Sequence, residues 1–300
     1  MPVTHTLYSL PCKCTRSRIT NNSQSGKPHR THLRDHCYSR LQRTGTIIPL
    51  QYADDICWVG LNCEHSINNI KKFIPDALSS RNLSVNHQKT EEFKITRNGD
   101  PSWRKCRYLG TLLGSEEDIK RRKILANGAM RKIQHISKDK RIDTKIKIRA
   151  FDAYVSSIFL YNSETWTISK KTANSIDSYH RRILRNALDV KWPKKISTVD
   201  LYRETRATPR SVIIEKRRMR LYGHIMRLHE KTPVRQALDE YDRPLKMHRG
   251  AQKFTWRKNV TNDLCKLNLD RSTAAETAQD RKGWRQLIKG VDGGCRNGCI

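Results

Sequence analysis

Two adjacent carboxylates, Asp54-Asp55, stand between the apolar runs Ile47-Ile48-Pro49-Leu50-Gln51-Tyr52 and Ile56-Cys57-Trp58-Val59. Carboxylates held at the tip of a hairpin are ligands for hard divalent cations such as Mg²⁺ or Mn²⁺, which keep waters and accept substrate phosphates. In two-metal nucleotidyl transfer one ion activates the attacking hydroxyl and the other stabilises the leaving group. Asp is equally common in solvated turns, so the dipeptide alone does not decide. A second chemistry lies in clustered cations: Arg121-Arg122-Lys123, the stretch Lys138 to Arg149, Arg181-Arg182 with Arg185, and Lys216-Arg217-Arg218. Such clusters neutralise phosphates, with affinity that falls steeply as salt rises. Cys12, Cys14, His29, His32, His36 and Cys37 supply enough donors for zinc, but their spacing matches no common tetrahedral site.

The elements that must position these groups follow from periodicity. Alternation predicts a hairpin over 47 to 60, with Pro49 confined to an early or edge position, and further strands near 92 to 96 and 106 to 113. Ile67, Ile70, Ile74 and Leu78 keep a helical period. Ser115, with Asp118 three residues on, reads as a near capping box opening a helical region. There Ala126, Met130 and Ile133, then Ile146 to Leu160, Ile176 to Leu188, and Val212 to Leu228 each keep spacings of three and four. The expected class is α+β in four segments. Residues 1–45 read as irregular, with eight Lys or Arg against Asp35; 46–114 as a small antiparallel sheet; 115–192 as helical; and 193–300 as basic helical with a flexible tail.

Composition bounds the partners. Sixty Lys plus Arg against 29 Asp plus Glu leave a net charge of +31 over 300 residues, which points to a polyanion and first to nucleic acid. No apolar run approaches the roughly 20 residues of a membrane span, so no membrane partner is expected. The opening residues do not read as a secretory signal. Nine cysteines without framework spacing suggest free thiols in a reducing compartment. Trp166, Trp192, Trp256 and Trp284 can stack on bases, but isolated tryptophans beside apolar residues read first as core anchors.

The ordered motifs carry a resemblance. Tyr52-Ala53-Asp54-Asp55, followed by Leu83-Ser84-Val85-Asn86 and Lys89-Thr90-Glu91, resembles the catalytic hairpin and the next motif of reverse transcriptases from non-long-terminal-repeat (LINE-type) retrotransposons. Tyr108-Leu109-Gly110 is similar to their primer-gripping hairpin, and Tyr161-Asn162-Ser163-Glu164-Thr165-Trp166 to a helix end in their thumb. His180-Arg181-Arg182, Gly223-His224, Thr255-Trp256-Arg257, Asp263-Leu264 and Asp280 to Trp284 are similar to their C-terminal segment. The resemblance spans roughly residues 46 to 288. It implies a partial polymerase palm at 46–114 and a thumb-like region at 115–192. It further implies Asp54 and Asp55 as metal ligands, Lys89 assisting pyrophosphate departure, and Tyr52, Tyr108, Leu109 and Gly110 on the substrate side. An RNA template with a DNA primer, or their hybrid, would lie on Arg121, Arg122, Lys123, Arg181, Arg182, Arg185, Lys216, Arg217 and Arg218.

The sequence departs from the family upstream. The third carboxylate of the family lies on a strand well before the hairpin, together with the fingers, and residues 1–46 offer only Asp35, in a different context. The chain therefore reads as a truncated RNA-directed DNA polymerase, impaired unless an element-encoded upstream segment completes the site. The alternative is a non-catalytic binder of RNA–DNA hybrid. A third reading is a regulator that reads bases with the 212–228 helix. Nuclear residence, with a cytoplasmic ribonucleoprotein as the other setting, is implied by the resemblance and by Lys216-Arg217-Arg218 as an import run.

Overall fold

Apolar alternation on both sides of Ala53-Asp54 produces an antiparallel hairpin, β2 (Ile47–Tyr52) with β3 (Asp55–Leu61), whose ladder closes at the pair Tyr52↔Asp55. The computed structural model describes residues 5–13, 47–52, 55–61, 64–79, 84–86, 88, 90–95, 101–190, 193–241 and 254–290. They divide into two compact units, Met1–Glu117 and Asp118–Ile300. The class is α+β.

In the first unit the hairpin belongs to a five-stranded sheet in which β3 is followed by β1 (His5–Lys13) and β4 (Ser84–Val85), with β5 (Glu91–Ile95) also on β1. Strand β1 (His5–Lys13) pairs antiparallel with β3 from His5↔Leu61 to Pro11↔Asp55. Its other edge takes β5 (Glu91–Ile95) and β4 (Ser84–Val85). This corrects the reading of residues 1–45 as wholly irregular. The run His-Thr-Leu-Tyr-Ser-Leu-Pro-Cys-Lys is interrupted by Pro11 and becomes a strand through pairing with partners far along the chain. Helix α1 (Glu64–Ser79) buries Ile74, and its Lys71 reaches Glu92 of β5 at 2.6 Å.

A smaller hairpin, β6 (Arg107–Tyr108) with β7 (Thr111–Leu112), turns on two residues with positive φ, Leu109 at 46° and Gly110 at 76°. Two left-handed residues give the turn the twist that suits a right-handed strand pair. Glycine adopts this conformation freely, whereas Leu109 is held there at a steric cost.

The second unit is helical. Helix α2 (Ser115–Lys132) continues through α3 (Gln134–Lys138), then α4 (Thr144–Phe151), a π turn (Asp152–Ser156) and the short α5 (Ser157–Phe159). Next come α6 (Lys170–Ala187), α7 (Thr198–Thr205), α8 (Arg210–Met226), α9 (Pro233–Tyr241), α10 (Trp256–Lys266), α11 (Arg271–Thr277) and α12 (Arg281–Lys289). Side chains of Ser169, Ser197, Thr255, Asp270 and Asp280 accept backbone N–H groups in the first turns of α6, α7, α10, α11 and α12. These caps satisfy donors that a helix start leaves open.

Two apolar clusters fill this unit. One gathers Ile119, Ala126, Phe151, Phe159, Trp166, Ile176, Leu184, Leu201 and Ile214; the other gathers Met219, Tyr222, Met226, Val260, Leu264, Trp284 and Ile288. Helix α8 contributes to both, so helices on either side of residue 192 share cores. It buries Val212, Ile214, Met219, Tyr222, Ile225 and Met226, while Arg220 and His224, four residues apart, stay exposed. The 212–228 segment is therefore a structural spine shared by both clusters. Among the described residues no helix is long and apolar enough to cross a membrane.

Candidate nucleic-acid interface

The predicted catalytic residues fall on the sheet of the first unit. Asp55 heads β3, and Tyr52, 66% exposed, closes β2 opposite it. Asp54 and Lys89 lie outside the described residues, as do Cys14, His29, His32, His36 and Cys37 of the weighed zinc set. The strand laid against β3 is β1, with Pro11 opposite Asp55, and it contains no Asp or Glu. Strand β1 therefore adds no carboxylate beside Asp55. No step through a metal follows from this arrangement. Tyr108, Leu109 and Gly110 form the half-buried tip of the β6–β7 hairpin.

The cations expected to grip nucleic acid divide into two kinds. Arg122 and Arg218 are buried and paired inside the second unit. Arg122 faces Asp118 at 3.6 Å and covers the Tyr161 ring at 4.5 Å, while Arg218 Nε donates to Asp263 at 2.7 Å. A phosphate could reach either only by unpairing a buried carboxylate, so both are corrected from nucleic-acid contacts to structural ion pairs. Their charge is legible in sequence; the acid that consumes the Arg218 charge, 45 residues on, is not. Arg121 lies 3.7 Å from the same Asp118. Arg217 donates to the Leu160 carbonyl, Arg185 to the Ile196 carbonyl at 3.2 Å, and Lys216 to the Lys289 carbonyl at 3.1 Å. Arg181 donates to Ser178 Oγ at 2.8 Å.

Lys123 and Arg182 are placed together. Their cationic groups lie 5.4 and 5.5 Å from the centroid of the same Tyr179 ring. Lys123 also donates to Ser175 Oγ at 3.0 Å. Burial, and then the nearby Arg182 guanidinium, hold the Lys123 ammonium below its ordinary pKa. Like charges thus converge at this face of α2 and α6.

The motifs of the C-terminal segment serve packing. Trp166 is 2% exposed and donates its indole N–H to Asp118 Oδ2 at 3.0 Å. Asp118, expected as the capping partner of Ser115, is fully buried as the acceptor of that indole. Trp284 donates to the Met219 carbonyl at 3.0 Å, and Trp256 to the Glu164 carbonyl at 2.8 Å. The reading of these tryptophans as core anchors holds; Trp192 lies outside the described residues. His180 is buried between the rings of Phe151 and Tyr202, 6.1 and 6.0 Å away. Neither ring nitrogen has a hydrogen-bond partner among the described residues. Arg210, beside it, donates to Asp152 at 2.6 Å and Ser156 at 2.7 Å.

Over 269 residues the chain is 22% identical to an uncharacterized transposon-derived protein of Caenorhabditis elegans, a match covering 80% of this chain and 94% of that protein. No family profile matches the chain, and no solved structure does.

Proposed function

We propose that the chain is a transposon-derived fragment of a LINE-type reverse transcriptase that holds nucleic acid through its helical unit and does not complete a two-metal site on its own. The observation that supports it most is the β2–β3 hairpin, which sets Tyr52 and Asp55 opposite each other around Ala53-Asp54, in a chain related to a transposon-derived protein over most of its length. The absence of any acid on β1 favours retained binding over retained chemistry. Asp54 and Asp55 would hold Mg²⁺ or Mn²⁺ only with a further carboxylate from an element-encoded upstream segment. Lys89, Tyr52 and the Tyr108-Leu109-Gly110 hairpin would act only in that completed assembly. The partners are an RNA template, a DNA primer or their hybrid, and the compartment is the nucleus, with a cytoplasmic ribonucleoprotein as the other setting.

Primer extension on an RNA template with Mg²⁺, run beside hybrid binding at about 50 and about 200 mM salt, tests this. The expected result is no extension, with hybrid binding that weakens at least about tenfold between the two salts, as several phosphate contacts demand. Extension by the parent chain that Asp54→Ala abolishes would establish a competent active site. Absence of binding at the lower salt would remove the reading altogether.

A further inference from the structure

Along α2 and α3, residues 127, 130, 131, 134, 137 and 138 recur at spacings of three and four and so fall on one helical face. That face and α6 enclose a groove of about 490 Å³, lined by Asn127, Arg131, Gln134 and Lys138 on one wall and Arg182 and Asn186 on the other. Asp189 closes one end as the only acid of the lining. Arg131, Lys138 and Arg182 are exposed, and none forms an ion pair among the described residues. Elsewhere in this unit Arg210, Arg218 and Lys266 are each consumed by a carboxylate. The Lys147 ammonium donates to the carbonyl of the lining residue Ser137 at 2.8 Å and also acts on the Asp139 carboxylate. Tyr179, whose ring lies 5.5 Å from the Arg182 guanidinium, is fixed through its hydroxyl to Lys123 and Asn127. A concave surface where three cations without ion-pair partners meet a single acid gains most from an anion that bridges them.

Shape and chemistry narrow the anion. Arg131 and Lys138 are seven residues apart, about 10 Å of helix axis, a span that reaches more than one phosphate of a strand. Packed helices stand about 8–10 Å apart, so the furrow between them admits one strand and excludes a duplex. The Asn127, Gln134 and Asn186 amides lie among the cations and offer both donors and acceptors, the complement of base edges rather than of phosphate alone. We propose that this groove binds a single nucleic-acid strand, consecutive phosphates on Arg131, Lys138 and Arg182 and bases against the three amides. This deepens the nucleic-acid-binding reading above and rests on it.

The test measures anisotropy of a labelled single strand of about 20 nucleotides with the full chain across a salt series. Arg131→Gln/Lys138→Gln/Arg182→Gln is compared with a charge-matched control on α10 and α12, Lys258→Gln/Arg281→Gln/Arg285→Gln. All six side chains are exposed, so both variants keep the fold, checked by circular dichroism. The groove variant is expected to bind at least about tenfold more weakly, with its salt slope reduced by about two, from about 0.7 per lost phosphate contact. The control is expected to lose less than about threefold, and unlabelled duplex at equal concentration to leave the strand bound. Equal losses in the two variants, or displacement by duplex, would overturn the groove while leaving nucleic-acid binding in place. No binding by the parent chain would overturn both.

Discussion

Arg218 of α8 donates from Nε to Asp263 Oδ2 of α10 across 2.7 Å, with both side chains about 5% exposed. The pair joins two helices whose sequence positions are 45 residues apart. Glu215 and Lys266 extend it, with Lys266 2.6 Å from Glu215 and 3.9 Å from Asp263. Burial nevertheless pushes the Asp263 carboxyl up to about 6 against the pull of Arg218. Removing one partner strands a charge in a dry site. Arg218→Met should therefore cost about 3–5 kcal/mol in urea unfolding, and Arg218→Met/Asp263→Leu should recover a large part of it. A single variant of parental stability would show that water reaches the pair.

Gly223 is required by the close approach of Trp284. A Cβ at this position would lie 2.2 Å from the indole Nε1 and 2.6 Å from Cδ1. Trp284 cannot yield without breaking its bond to the Met219 carbonyl and its contact with Tyr222. Gly223→Ala should destabilise the helical unit by about 1–3 kcal/mol through overpacking. A thermal melt would register a lowered midpoint, with tryptophan emission shifted to the red. An unshifted melt would mean that α8 and α12 are free to separate.

Local patterns made parts of this fold legible. The β2–β3 hairpin follows from two β-prone runs around a turn pair, and α2, α6 and α8 from spacings of three and four. Strand β1 was not legible, because its pairing with β3 and β5 joins residues far apart in the chain. Clustered cations misled in a related way. Arg122 and Arg218 resemble solvent-facing charges until the acids that bury them are located. For Arg122 a local sign existed, since Asp118 precedes it by four residues, a spacing at which helix side chains meet. For Arg218 there was none. The groove is not legible in the sequence because Asn127, Arg131, Gln134 and Lys138 are spread through two helices and cluster only once α6 supplies Arg182 and Asn186.

Cys57 and Cys106 are buried free thiols of the first unit. Burial pushes Cys57 up to about 12 and Cys106 to about 11, so neither supplies the thiolate that alkylation needs near neutral pH. Cys265, half-buried on α10, is more accessible than either. Brief iodoacetamide treatment followed by peptide mass spectrometry should label Cys265 and spare Cys57 and Cys106 until denaturant is added. Early modification of Cys57 would show that the sheet opens on the labelling timescale.

His180 makes the helical unit sensitive to acid. Burial first, and then the Arg210 and Arg181 guanidinium groups, lower its pKa from about 6.5 to about 3. Tyr202 and Phe151 also face the ring, and Asp152 offsets part of the Arg210 charge through their ion pair. In the unfolded chain the imidazole takes a proton as pH falls through about 6.5, while the folded chain keeps it neutral until about 3. The unfolded state binds more protons across that window, so the stability contributed by neutral His180 is complete above it and is lost progressively as pH falls through it. His180→Phe cannot titrate. Its urea midpoint should fall less than that of the parent between pH values of about 7 and about 4, whatever its stability at the upper end. Parallel midpoints for the two proteins would assign the acid sensitivity to carboxylates and leave the buried imidazole without a role in it.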